Sequence, residues 1–130
     1  MMDIDQFEAV LDTIANTLPP AFYEELNGGI LLLPEAKRHP KARGDDLYIM
    51  GEYHRDQIMG RYIVIYYGSF ERVYGYLSDE ALKKQMEKTL RHEFRHHMES
   101  RAGLRDLEIA DRMQMEDYEK QMVDLRVLRS

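Results

Sequence analysis

The segment Thr89-Leu90-Arg91-His92-Glu93-Phe94-Arg95-His96-His97 decides how the rest of the chain is read. It lies in a stretch without glycine or proline that runs from Ser78 to Gly103. Ser78 suits an N-cap, Asp79 and Glu80 complement the positive end of a helix dipole, and Gly103 suits the residue just past a helix end. The spacing predicts one helix of about 24 residues. A turn of about 100° per residue puts Leu82, Met86, Leu90 and Glu93 on one narrow arc, flanked by Phe94 and His97. Lys84, Lys88, Arg91 and Arg95 fall on the opposite, solvated side. Gln85, Thr89, His92, His96 and Glu99 form a polar seam along one edge of the apolar stripe.

His92 and His96 are four residues apart, so their rings stack on one face and can meet a single tetrahedral Zn²⁺. Glu93 projects beside them, placed as general base for a zinc-activated water rather than as a ligand. With this chain's His and Glu content, chance yields the five-residue pattern in roughly one or two such chains per hundred. Without cysteine, any metal must be held by His, Asp or Glu. Three carboxylates compete as third ligand. Glu99 lies on the same face and leans back towards the N-terminus. Asp106 follows Gly103 in a Gly-x-x-Asp arrangement. Asp111 faces the motif if two helices form a hairpin about Gly103, with Glu108 a weaker option. His97 reads as a packing residue or a support for the metal site; His39 and His54 read as surface residues.

Upstream, Phe7, Val10, Leu11 and Ile14 have helical spacing, with Asp3 or Asp5 as cap and Pro19-Pro20 as terminator. A second short helix is expected from Ala21 to Leu26. Ile30 to Leu33, Leu47 to Tyr53 and Tyr62 to Tyr67 read as strands, with a hairpin turn at Asp56 to Gly60 and a last extended piece at Val73 to Tyr76. A further helix is expected from about Asp106 to Leu125. No repeat or linker divides the 130 residues, so the expectation is one α+β domain over residues 1–130: a small three- to four-stranded sheet packed on the long motif helix, with flanking N- and C-terminal helices.

The hydrophobic fraction of 44% and charged fraction of 32% are those of a globular protein. No apolar run approaches the ~20 residues of a membrane helix, and the acidic N-terminus is unlike a secretory signal, so a cytoplasmic location is expected. A formal net charge of −6 argues against a nucleic-acid partner. Lys37, Arg38, Lys41 and Arg43 read as a solvated basic loop. The sequence leaves the oligomeric state open.

The motif block resembles that of the small bacterial zincin-like metallopeptidases. The resemblance extends to the acidic N-terminal helix, the Leu18-Pro19 break, Leu47-Tyr48 and Ile63 to Tyr67. It implies a minimal zincin fold and a Zn²⁺-dependent hydrolase acting on a peptide or protein substrate. In that family the second histidine is followed by x-x-Gly-x-x-Asp. Here Glu99 and Ala102 occupy those places, and Gly-x-x-Asp comes four residues later, at Gly103 to Asp106. Zincins commonly offer a strand edge to an extended peptide; the run from Tyr62 to Tyr67 is the expected strand, with Tyr66, Tyr67, Tyr74 and Tyr76 as candidates to stabilise an oxyanion.

Overall fold

Helix α1 (Ile4–Thr17) opens the chain because Asp3 and Gln6 form a reciprocal capping box, each accepting the other's backbone N–H at 2.8 and 3.0 Å. Its Phe7 and Leu11 are buried one turn apart. Pro19 and Pro20 then end the helix, and the expected second helix contracts to a single 3₁₀ turn at Pro20–Tyr23. The computed structural model describes residues 1–44 and 47–103. The expected C-terminal helix, with Asp106, Glu108 and Asp111, lies outside the described residues.

Five strands follow among the described residues: β1 (Gly29–Leu33), β2 (Lys37–Arg38), β3 (Tyr48–Ile49), β4 (Gly51–Asp56) and β5 (Gly60–Tyr66). One sheet has the order β1-β5-β4, with β1 parallel and β4 antiparallel to β5; β2 and β3 form a separate two-stranded antiparallel pair. The turn from Asp56 to Gly60 is the expected hairpin. The single strand expected at Leu47 to Tyr53 is instead two, interrupted at the fully buried Met50. The basic loop contributes β2, whose Lys37 pairs with Ile49.

Alternation along the strands divides the sheet cleanly. Ile30, Leu32, Tyr53, Ile63 and Ile65 join the main core with Phe7 and Leu11 of α1. Leu31, Leu33, Tyr62, Val64 and Tyr66 lie on the other face with Ile49. Helix α2 (Tyr67–Tyr74) overturns the extended piece expected at Val73 to Tyr76. Its aromatic run has strand-like composition, yet Phe70 and Tyr74 sit one helical turn apart and both enter the core. The helix crosses the chain after β1 so closely that Gly68 donates its N–H to Glu35 O at 3.1 Å.

Helix α3 (Asp79–Arg101) runs 23 residues from the Ser78 cap, whose Oγ accepts the Ala81 N–H. It ends at Gly103, whose φ of +116° is one that side chains rarely adopt. Leu82, Met86, Leu90 and Phe94 are at most 1% exposed and form the centre of the core. Truncating such a residue to alanine costs about 2–5 kcal/mol. The architecture is therefore α+β, with α1 and α3 on one face of a small mixed sheet.

A Cβ at Gly68 would lie 2.5 Å from Ala36 N, 2.6 Å from Glu35 C and 2.8 Å from Pro34 O, all backbone atoms. Gly68→Ala is therefore expected to destabilise the protein by at least about 2 kcal/mol. Urea denaturation measures this; a variant as stable as wild type would show that the crossing yields without cost.

Candidate metal centre

The motif helix packs mainly on β4. The two meet at Gly51, where an added Cβ would approach Thr89 Cγ2 and Ile65 Cδ1 to 3.1 Å. Thr89 belongs to the polar seam, so β4 touches the seam at that point. His92 and His96 follow along it, both half-buried, with ring centroids 5.1 Å apart and planes at 82°. Two imidazoles on one tetrahedral zinc, each with its nitrogen about 2.0–2.1 Å from the metal, have centroids about 5 Å apart. Burial, then the charges of His96, Arg95 and Lys88, push His92 down to about 4. It is thus neutral at neutral pH, the form that binds metal.

Glu93 lies deeper than either histidine and is 1% exposed. Glu99 sits at the far end of the seam, its Oε1 accepting from Arg95 Nε at 3.1 Å and its Oε2 3.9 Å from His96 Nδ1. Among the described residues, no group of three or more His, Asp or Glu side chains is gathered closely enough to hold a metal. The donor set there is the histidine pair, with Glu99 nearby. The other two carboxylate candidates, Asp106 and Asp111, lie outside the described residues.

His97 is a packing residue, fully buried on the core side of α3. Its Nε2 donates to Glu24 O at 2.7 Å, which leaves Nδ1 to accept from Tyr53 OH at 2.8 Å. The hydrogen bonds fix a neutral tautomer, and burial lowers the pKa. One imidazole thus ties α3 to both β4 and the loop after the 3₁₀ turn. Arg101 secures the same loop, reaching Glu25 and Glu24 at 2.9 Å each. Glu25 there adopts φ of +63°, an uncommon value for a residue with a side chain.

The tyrosines divide differently from expectation. Tyr66 points to the sheet face away from α3 and donates to Glu52 at 2.5 Å. Tyr67 donates to Met2 O, Tyr74 is in the core and Tyr76 is 83% exposed. Tyr53 brings its hydroxyl to His97 of α3, and its alternating place in β4 was the signal for its direction. Nor is His54 a simple surface residue: it stacks on Tyr62 and contacts Glu52 at 3.1 Å. Burial acts to raise the Glu52 pKa, but hydrogen bonds from Lys37, Tyr66 and His54 outweigh it and hold the carboxyl below its usual range.

Nor does β5 offer an edge, because β1 and β4 flank it on both sides. Among the described residues, β4 is the edge strand of this sheet that packs on the motif helix. Tyr66 donates its N–H to Met50 O, so by antiparallel alternation the N–H and C=O groups of Tyr53 and Arg55 point away from β5.

No helix among the described residues is long and apolar enough to cross a membrane. An α+β domain with a histidine pair on its central helix is thus the class that fold and site define. No family model and no curated protein matches the chain. A solved structure does: a conserved hypothetical protein from Thermus thermophilus is 32% identical, with a TM-score of 0.65, over 78% of this chain and 98% of that one. The chain belongs to the same family as that protein.

Two measurements check the clamp and the buried imidazoles. His97→Phe leaves Tyr53 OH and Glu24 O without their partner and is expected to cost about 3 kcal/mol, against about 1 kcal/mol for Tyr53→Phe. Equal losses in denaturant titrations would contradict the bridging geometry. His92 and His97 both have folded-state pKa values below the ~6.5 of an unfolded chain. The unfolded state therefore takes up protons first. Metal-free protein is expected to hold this stability above about pH 6.5 and lose it as pH falls towards about 4. His92→Gln should flatten that slope, and an unchanged slope would show that burial of His92 carries no such cost.

Proposed function

We propose that this chain is a zinc-dependent metallopeptidase of the minimal zincin type, hydrolysing peptide bonds in a cytoplasmic peptide or protein substrate. The observation that carries the reading is two half-buried imidazoles, one of them held neutral, next to a buried glutamate on a helix that packs on β4. His92 and His96 would hold the ion, with a third carboxylate from Glu99, Asp106 or Asp111. When bound, Zn²⁺ supplies Lewis-acid polarisation of the scissile carbonyl and lowers the pKa of water. Glu93 accepts the proton of the attacking water on its carboxylate and passes it to the leaving amine nitrogen. An extended substrate pairs with the outward backbone groups of β4, beside the seam. The net charge of −6 disfavours a nucleic-acid substrate.

The burial of Glu93 also favours a second reading, a zinc-stabilised interaction module without catalysis. The two differ in one variant. The peptidase reading expects about one zinc per chain, lost in His92→Ala and His96→Ala. Glu93→Gln should keep its zinc and lose cleavage of a peptide library by at least about a hundredfold. Zinc-loaded wild type that cleaves nothing, but melts at a much lower temperature after chelation, would replace catalysis with the structural role.

A further inference from the structure

Resting on the metal-centre reading above, we infer that Glu99 is a positioning residue for His96, accepting a hydrogen bond from His96 Nδ1–H and so presenting Nε2 to the metal. Glu99 Oε2 is shielded from solvent and has no hydrogen-bond partner among the described residues. A buried carboxylate oxygen without a donor is costly, and such atoms call for an explanation. The other oxygen is already used, held by Arg95 from one turn earlier. The orphaned oxygen faces His96 Nδ1 at 3.9 Å, roughly 1 Å beyond a hydrogen bond. A small side-chain rotation about the Arg95 anchor closes that gap.

The choice of nitrogen separates positioning from ligation. A histidine that binds metal through one nitrogen donates from the other, and a carboxylate in that place fixes the tautomer, aims the ring and raises its basicity. Glu99 lies beside Nδ1, so an ion on Nε2 would sit across the ring from it. From there the carboxylate orients His96 without entering the coordination sphere. Helix geometry makes the pair local: His96 and Glu99 are three residues apart on one face, and the longer acidic side chain leans back towards the earlier residue. Of the three carboxylate candidates, Asp106 and Asp111 then remain for the third ligand.

The test uses the full chain, with Glu99→Ala and Glu99→Gln beside wild type. Zinc affinity is measured by chelator competition, the ligand field from the visible spectrum of the Co²⁺-loaded protein, and the His96 tautomer by ¹⁵N NMR of the metal-free protein. The expected result is a ten- to hundredfold loss of affinity in Glu99→Ala, an unchanged cobalt spectrum and loss of the Nδ1–H tautomer. Glu99→Gln, which keeps an acceptor oxygen, recovers most of the affinity and the tautomer. Zinc-binding wild type with both properties unchanged in Glu99→Ala overturns the assignment. A loss beyond about a thousandfold with an altered cobalt spectrum also overturns it, making Glu99 a ligand. Wild type that binds no zinc at all instead overturns the metal-centre reading on which the assignment rests. Melting temperatures of the metal-free variants separate each outcome from a folding defect.

Discussion

The apolar stripe of α3 lies against β4 and β5, and every other placement in the domain follows from it. Leu82, Met86, Leu90 and Phe94 lie nearly in line along the helix and are shut off from water by the inner face of the sheet and by α1. A helix that buries one face so completely cannot rotate without exposing that face. Its rotational setting then fixes where each polar residue goes. The basic residues face solvent, and the seam from Gln85 to Glu99 comes to the border between core and surface. The metal-binding chemistry argued for His92 and His96 needs that border, with enough burial to keep an imidazole neutral and enough access for an ion.

Axial position needs a separate device, because an apolar stripe tolerates sliding better than rotation. His97 supplies it with two short hydrogen bonds to parts of the chain far away in sequence, Tyr53 in β4 and Glu24 after the 3₁₀ turn. Gly51 adds a steric stop, since β4 rests against Thr89 where any larger residue would press on the helix. Between them, these contacts at Thr89 and His97 fix the register of the helix segment that carries the two histidines. The network of Glu52, Lys37, Tyr66 and His54 does a comparable job on the opposite face, joining the small β2-β3 pair to the main sheet.

Charge at the centre is governed by the same burial. His92 loses the energy of hydration and stands near other cationic groups, so its proton is released well below neutrality. Glu93 and Glu99 are acids drawn into the protein on opposite sides of the histidine pair, and they differ in depth. Glu93 lies within the packed interior and Glu99 at its margin, with one oxygen tied to Arg95 and one turned inwards. The roles proposed for them, proton transfer for Glu93 and orientation of His96 for Glu99, follow that difference in depth.

Much was determined by the sequence alone, wherever the physics is local. The Ser78 cap, the Gly103 stop, the apolar stripe and the four-residue histidine spacing depend on helix geometry within a few residues, and each stands in the structure where it was expected. The Asp3 capping box and the hairpin at Asp56 to Gly60 are legible for the same reason. What only the tertiary structure decided involves partners distant in the chain. Strand order among the described residues put β4 rather than β5 at the margin of the sheet, because the parallel pairing of β1 with β5 joins segments some thirty residues apart. The run after β5 became helical because packing against the core outweighed its strand-like composition. Tyr53 and Glu24 meet His97 across 44 and 73 residues, and no spacing in the sequence marks them as partners. Periodicity specifies which face of a helix is buried, whereas the identity of what covers it is settled only when separate elements compete for the same surface.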